Sequence, residues 1–147
     1  MSAYIYFFIR KDKDFIPLVS YSRNSDIYNI ISKTTYIPWE HINNITYDVL
    51  HDWIVAADDE INRTKSEIKK IEKMFELSNS YTLGDAYGYA STIEEYNELI
   101  ERIKGIKVIF DFMKDILDEY EYKEDSNVSD ILYFGMEISN PTAEDII

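Results

Sequence analysis

Two histidines are the residues with the clearest potential for chemistry, and one of them has carboxylates close by. His51 follows Asp48 by three residues and precedes Asp52 directly. Residues three apart share a helix face, so Asp48 and His51 together suggest a metal ligand pair or a general base. One histidine and one carboxylate do not specify a site, however, and His51 adjoins the apolar Leu50. We interpret His51, like His41, as a structural or solvated residue and expect no bound metal.

Other catalytic patterns are equally weak in this chain. Carboxylates adjoin at Asp58, Asp59 and Glu60, but no such group has the apolar sequence context that raises the pKa of a catalytic acid. The four glycines do not form a phosphate-binding loop, and the chain has no cysteine to act as a nucleophile or zinc ligand. The sequence therefore favours a protein that is not an enzyme and uses no cofactor.

The net charge of the chain limits the classes of partner that it is expected to bind. The formal net charge is −13, whereas nucleic-acid binders gain affinity from cationic side chains that neutralise phosphates. An anionic membrane surface would also repel the chain. Direct binding to nucleic acid or membrane is therefore not expected. The acidity serves either solubility or the docking of a basic partner.

The chain shows no sign of export. The apolar run at residues 4–9 is too short for a signal peptide or a membrane span, and it has no basic segment before it. The absence of cysteine also removes disulfides. We expect a cytoplasmic protein.

Two short stretches suggest ligand or partner binding. Residues 21–28 offer tyrosines, an arginine and an asparagine where a helix is about to begin, and backbone N–H groups at such a place can bind an anion. The candidate ligand-binding residues are Tyr21, Arg23, Asn24 and Tyr28, although a simple cap and turn explains them as well. The second stretch is a glycine-containing connector, where Tyr81, Tyr87 and Tyr89 are candidate partner contacts because tyrosine gives a large contact area at low entropic cost.

A third candidate surface is the acidic end of the second long helix. Residues 118–147 contain nine acidic residues and one lysine, so they carry −8 of the net charge of −13. Negative charge at a helix C-terminus opposes the helix dipole and is locally unfavourable. These residues therefore form either a functional surface or a simple solvated face. The candidate residues for a basic partner are Asp118, Glu119, Glu121, Glu124 and Asp125.

The elements that position these residues follow from hydrophobic patterning. Residues 4–9 and 15–21 predict a β-hairpin in which Pro17 requires an edge or a bulge, and residues 131–138 predict a third strand beside it. Ser25 or Asn24 is expected to cap a short helix that continues to about Lys33.

Two long helices are predicted between the second and third strands. Apolar residues recur at alternating spacings of three and four in both, the pattern of helices that pack along their length. The predicted ranges are 44–78 and 92–122, with a capping box that starts at Ser91 or Thr92. The glycine-containing connector between them, residues 80–90, is too short for a parallel return, so the pair should be antiparallel.

The sequence thus predicts an α+β fold: a small antiparallel sheet, made of an N-terminal hairpin and a C-terminal strand, with a long coiled-coil-like helical hairpin. We expect one domain over residues 1–147, with the sheet and short helix in 1–43 and 128–140 and the helical hairpin in 44–124. The hairpin carries more apolar surface than one seam needs. Either the sheet or a second copy must cover it, which favours a homodimer or a larger homo-oligomer.

Four functions are compatible with these features. The first is an acidic protein that inhibits or sequesters a partner macromolecule, similar in general type, without a shared motif, to bacterial immunity proteins and phage inhibitors of host defence. The second is a homo-oligomeric structural adaptor built on the helical hairpin. The third is an oligomeric binder of a small nucleotide-like ligand, for which the available cations are Arg10, Arg23, Arg63 and Arg102. The fourth, least favoured, is an enzyme that uses His51.

Overall fold

The computed structural model describes residues 3–77, 83–123 and 130–147, with side chains at 3–77, 87–119 and 130–147. In these ranges the fold is α+β, as predicted. The elements in chain order are β1 (Tyr4–Lys11), β2 (Asp14–Ser22), α1 (Asp26–Ser32), β3 (Asn43–Asn44), α2 (Tyr47–Leu77), α3 (Leu83–Lys123) and β4 (Leu132–Met136), followed by a 3-10 helix at Ala143–Asp145.

The sheet has the order β2-β1-β4-β3, and all of its strand pairs are antiparallel. The predicted hairpin and C-terminal strand are confirmed, since β1 pairs with both β2 and β4. The two-residue strand β3 was not predicted, because two adjacent asparagines carry no hydrophobic pattern. The expected place of Pro17 is also confirmed: β2 is an edge strand, and its register against β1 shifts where Phe8 faces Pro17.

Gly135 in β4 is required by a close backbone crossing. The segment before β3 runs over this strand, and a Cβ added at Gly135 would overlap the carbonyl oxygen of His41 and lie 3.1 Å from its carbonyl carbon. Trp39 forms a parallel bridge with Met136 in the same crossing. The sheet can therefore hold this segment only because position 135 has no side chain.

Helix α1 begins as predicted. The Ser25 hydroxyl accepts a hydrogen bond from the backbone N–H of Tyr28, which satisfies one of the unpaired donors of the first turn. Ile27, Ile30 and Ile31 are buried on one face of the helix.

Helices α2 and α3 form an antiparallel pair. The start of α2 meets the end of α3 where the Tyr47 hydroxyl donates to Asp118 at 2.8 Å. At the opposite end, the rings of Phe75 and Tyr89 lie 5.6 Å apart. The prediction of two long packed helices is confirmed.

The predicted start of the second helix is wrong. Helix α3 begins at Leu83, so residues 83–90 are helical and do not form a loop. The expected capping box at Ser91 and Thr92 lies inside the helix, where the Thr92 hydroxyl donates to the Gly88 carbonyl at 2.9 Å. A hydroxyl that bonds back one turn is compatible with a helix interior, and glycine is tolerated there at a modest cost.

An aromatic cluster joins the helices to the sheet. Trp53 of α2 is fully buried, and its ring centroid lies 5.2 Å from Phe134 of β4, 5.6 Å from Phe110 of α3 and 6.3 Å from Phe7 of β1. The indole N–H donates to the Thr35 hydroxyl at 2.8 Å. Much of the apolar surplus of the hairpin is thus covered within the chain. On the opposite face of the sheet, a smaller cluster contains Phe8, Ile42 and Tyr133.

Candidate functional site

The hairpin divides into two parts that differ in burial. We call residues 47–64 and 99–119 the proximal hairpin, and residues 65–77 and 87–98 the distal hairpin. The proximal hairpin contains fully buried residues on both helices, ending with Thr64 on α2 and Ile100 on α3. No side chain of the distal hairpin is fully buried. At 1.5 Å per residue, the distal part of α2 extends roughly 20 Å beyond the core.

Large apolar side chains are exposed at the end of the distal hairpin. Met74 is 59% exposed, Leu77 is 71% exposed and Tyr87 is 69% exposed. Single exposed apolar residues are common on protein surfaces, but three at one end of an element indicate an interaction surface. We call these three side chains the distal patch.

A groove adjoins the distal patch. It has a volume of about 270 Å³ and is lined by Glu72, Phe75, Glu76, Tyr89, Ala90 and Ile93. The rings of Phe75 and Tyr89 meet edge to face across it, so Tyr89 folds back against α2 while Tyr87 points outward. The third tyrosine predicted for this surface, Tyr81, lies outside the described residues.

The two helices of the distal hairpin differ in charge: α2 carries both signs and α3 only negative charge. On α2 the cationic residues are Lys65, Lys69, Lys70 and Lys73, and the anionic residues are Glu67, Glu72 and Glu76. On α3 the charged residues are Glu94, Glu95 and Glu98. The distal hairpin therefore combines apolar side chains with charge of both signs, a composition typical of protein contacts and not of phosphate-binding surfaces.

The acidic end of α3 lies at the opposite end of the hairpin. Asp118 and Glu119 are exposed, and Asp118 accepts the hydrogen bond from the Tyr47 hydroxyl. The backbone of Glu121 lies in the last turns of α3, and its side chain is outside the described side chains. Glu124 and Asp125 lie outside the described residues. The structure thus places the acidic candidates far from the tyrosine candidates, at the two ends of a 41-residue helix.

The ligand-binding candidates near α1 have structural contacts. The ring of Tyr21 lies 6.2 Å from Phe7, and burial raises the pKa of the Tyr21 hydroxyl. The Arg23 guanidinium lies 5.5 Å from the centre of the Trp39 ring. Tyr28 packs against the core, while Asn24 is exposed and its N–H donates to the Ser22 hydroxyl. Each of the four therefore has its own neighbour around the turn into α1.

A charged groove lies between α1 and the hairpin, at the boundary between the proximal and distal parts. Glu60 is central to it, forming ion pairs with Lys33 and Arg63 while only 15% of its side chain is exposed. Burial raises the pKa of Glu60, but the hydrogen bonds and positive charges of Lys33 and Arg63 outweigh that effect and lower it. Arg102 of α3 pairs with Asp26 of α1 at 2.8 Å. These opposite charges neutralise one another and attach α1 to the hairpin.

Neither histidine belongs to a cluster of potential ligands. His41 and His51 are both exposed. Within the part of the chain that the structure describes, no group of three or more His, Cys, Asp or Glu side chains is placed to hold a metal ion. Among the same residues, no helix combines the length and apolar character needed to cross a membrane.

Sequence reasoning missed two residues of the distal patch. Met74 and Leu77 lie beside the apolar seam of α2, which runs through Ile71 and Phe75, so the heptad pattern gave no reason to select them. Their signal in the sequence is their position: two apolar residues off the seam in the last turns of a long helix. No family model matches this chain, and no curated protein or solved structure is significantly similar to it.

Proposed function

We propose that this protein is a non-enzymatic, acidic binding protein that inhibits or sequesters a partner macromolecule, and that the distal hairpin makes the principal contact. One observation carries the proposal. Met74, Leu77 and Tyr87 are each more than half exposed at the end of a hairpin that extends past the core. Burial of such side chains in a partner supplies binding free energy, at about 25 cal/mol for each Å² of apolar surface removed from water.

The partner that best fits this surface is a protein. Hot spots in protein interfaces are rich in aromatic residues, and Tyr87 and Tyr89 lie on the same turn of α3. The lysines of α2 and the glutamates of α3 add charge of both signs around them. A partner with an apolar cleft and a mixed polar rim would match this arrangement.

The acidic end of α3 favours a basic partner. Two of its residues, Asp118 and Glu119, are exposed near the C-terminus of the helix, where their charge opposes the helix dipole. Such a surface accelerates the encounter with a cationic molecule, and salt screens the effect over roughly 8 Å at physiological ionic strength. In this proposal the distal patch provides affinity, and the acidic end meets a separate, cationic part of the partner. The expected compartment is the cytoplasm.

The distal patch can be tested by comparative capture. The wild-type chain and a Met74→Ser/Leu77→Ser/Tyr87→Ser variant are used as baits in extracts of the native host, and bound proteins are identified by mass spectrometry. A partner retained by the wild type and lost by the variant is the expected result. Because none of the three residues is buried, the variant should keep the same circular dichroism and melting temperature.

The matched control is Val55→Ser. Val55 is 41% exposed on the proximal part of α2, so the change removes an exposed apolar side chain outside the distal patch. The control should capture the same partner as the wild type. Equal capture by all three baits would reject the distal patch as the contact surface.

A second candidate function is a homo-oligomeric adaptor. It is favoured by two apolar residues of α3 that are exposed in the proximal hairpin, beside the part that packs on the sheet and α1: Val108 at 67% and Phe112 at 53%. Both lie in the proximal hairpin, far from the distal patch, so self-association and partner binding can be tested separately.

A further inference from the structure

One side of the distal part of α2 carries four charged residues in a definite order. Lys65, Lys69, Glu72 and Glu76 follow one another at spacings of four, three and four, so they lie along the same side of the helix, and all four are exposed. We call them the α2 stripe. Residues four apart are neighbours on a helix, so the two lysines repel one another, and so do the two glutamates.

The α2 stripe has no ion pair of its own. In the parts of the chain that the structure describes, none of its four residues takes part in a salt bridge. Other charges of the same helix do pair, as Glu67 does with Lys70 at 3.2 Å. Like charges side by side without partners are unfavourable in the isolated chain, and a surface with the complementary order of charges would relieve both repulsions.

The order of charges along the α2 stripe is complementary to its own reverse. Lys65 and Glu76 are equally far from the midpoint between residues 70 and 71, about 8 Å at 1.5 Å per residue, and Lys69 and Glu72 are each about 2 Å from it. An antiparallel second copy centred on that point therefore places every lysine opposite a glutamate. All four charges of each copy then have a partner.

Two grooves between α2 and α3 border the stripe. One is the groove of about 270 Å³ beside the distal patch, and the other has a volume of about 430 Å³. Their apolar lining consists of Ile68, Phe75, Ala90, Ile93 and Ile100. Only Ile100 among these is fully buried. A second hairpin stacked on this face would therefore remove further apolar surface from water.

The charge of this face selects a second copy as its occupant. The charged residues that line the two grooves are three lysines and three glutamates, although the whole chain carries −13. The two that lie outside the stripe, Glu101 and Lys104, pair with each other at 3.3 Å. A uniformly basic or acidic partner would meet as many like charges as opposite ones. An antiparallel copy presents the reversed order that pairs them all.

We propose that the distal hairpin binds the distal hairpin of a second copy through the α2 stripe, with the two α2 helices antiparallel. The two-fold axis runs across the hairpin at the level of residues 70 and 71, the middle of the distal part of α2, so the two cores lie at opposite ends of the dimer. This inference gives the second candidate function a surface that does not include Val108 or Phe112. It is independent of the distal partner.

The other sides of α2 remain available in this dimer. Arg63, which lines the groove against α1, is two residues from Lys65, and residues two apart do not share a helix face. Helix α1 therefore does not obstruct the stripe. Met74 is likewise two residues from both Glu72 and Glu76, so this part of the distal patch stays outside the dimer contact.

Sedimentation equilibrium of the full-length chain tests the proposal. The wild type should show a concentration-dependent dimer that weakens as salt screens the ion pairs. Lys65→Glu/Lys69→Glu makes the stripe uniformly acidic, and Glu72→Lys/Glu76→Lys makes it uniformly basic. Each variant should raise the dissociation constant at least about tenfold, because like charges then face one another. Circular dichroism should not change, since all four side chains are exposed.

Two combinations separate charge pairing from misfolding. An equimolar mixture of the acidic and basic variants should form a heterodimer, which misfolded chains would not do. A single chain with all four charges exchanged should recover the homodimer to within a few-fold of the wild type, because the reversed order is again self-complementary when antiparallel. Failure of the fourfold exchange to restore the dimer would overturn the antiparallel register.

The matched control is Lys70→Glu/Lys73→Glu. It makes the same change in net charge on the same part of α2, but outside the stripe. The dissociation constant should change much less than in Lys65→Glu/Lys69→Glu. An equal loss of dimer in both variants would assign the effect to net charge and overturn the stripe as the contact.

The remaining outcomes separate the inference from the candidate functions. A wild-type chain that stays monomeric at several hundred micromolar would overturn the proposal. A dimer that tolerates both stripe variants but is lost in Val108→Ser/Phe112→Ser would also overturn it and would assign self-association to the proximal hairpin. Neither result bears on the distal patch, because capture of its partner is a separate measurement.

Discussion

In the proximal hairpin, α2 and α3 pack on each other and on the aromatic residues of β1 and β4, so that Trp53 and Phe110 are fully buried. In the distal hairpin, the same seam continues through Ile68, Ile71 and Phe75, but each of these residues is only partly buried. The repeat of three and four is the same in both regions. What differs is the presence of the sheet and α1 beside the helices.

The two regions therefore have different roles: the proximal hairpin stabilises the fold, and the distal hairpin is free to contact a partner. Hydrophobic burial in the proximal hairpin supplies the free energy that maintains the fold, since buried apolar area is the main favourable contribution to folding. The distal hairpin has fewer buried contacts, so its backbone should open locally without global unfolding. A region that contributes little to stability can expose apolar side chains to a partner at little cost to the fold.

Matched phenylalanine truncations should show the largest contrast. Phe110→Ala removes a fully buried ring beside Trp53 and should lower the free energy of unfolding by about 3–5 kcal/mol. Phe75→Ala removes a partly buried ring of the distal hairpin, and its expected cost is about 1 kcal/mol. Urea denaturation followed by circular dichroism measures both. Similar losses in the two variants would contradict the division of the hairpin.

Matched glycine substitutions should give effects of opposite sign. Gly135→Ala forces a Cβ into the His41 carbonyl and should destabilise the protein by about 2–3 kcal/mol, as overpacking does elsewhere. Gly88→Ala places a methyl group in open space on a helix and should stabilise by about 0.5–1 kcal/mol. Melting temperatures determined by calorimetry distinguish the two. A stabilising Gly135→Ala would contradict the close approach of the His41 carbonyl to β4.

The Glu60 ion pairs at the boundary should give a smaller, pH-dependent effect. The pKa of this carboxyl is lower in the folded state, so its ionised form stabilises the fold. That stability is complete above the unfolded pKa of about 4.3 and is lost as the pH falls through the folded pKa. The difference in unfolding free energy between the wild type and Glu60→Gln should be about 1 kcal/mol near neutral pH and shrink below about pH 4.

The control for Glu60 lies on the distal hairpin. Glu67 pairs with Lys70 at 3.2 Å with 43% of its side chain exposed, and exposed pairs contribute little to stability. Glu67→Gln should change the free energy of unfolding by less than about 0.5 kcal/mol at any pH. A difference between the wild type and Glu60→Gln that does not vary with pH would assign the effect to packing instead of charge.

Local signals in the sequence predicted much of the fold. Ser25 is a good N-cap because its hydroxyl accepts from a free backbone N–H, and Pro17 indicates an edge because it cannot donate to a neighbouring strand. The effect of each residue depends only on backbone groups at its own position or within a few residues of it. The heptad spacing is also local to each helix, which explains why the two long helices were predicted.

Features that depend on distant residues were not predictable in the same way. Trp53 lies beside the apolar seam of α2 in the sequence, yet it is the centre of the aromatic cluster because β1 and β4 pack over it. Asn43 and Asn44 form a strand only because β4 lies beside them. The start of α3 was missed because the glycines and hydroxyls of residues 84–92 resemble a turn, although a helix tolerates them. Tyr87 was selected from the sequence, whereas Met74 and Leu77 were missed because their only signal was their position off the seam in the last turns of α2.

The partial burial of the distal hairpin has a consequence for how such a protein can diversify. A heptad added to or removed from both helices would preserve the seam and change the reach of the hairpin by roughly 10 Å. No fully buried residue would be disturbed, since all of those in the described part of the hairpin lie in the proximal region. Evolution or engineering can therefore adjust the length of the hairpin in steps of one heptad. The same core could then serve partners whose binding clefts differ in depth.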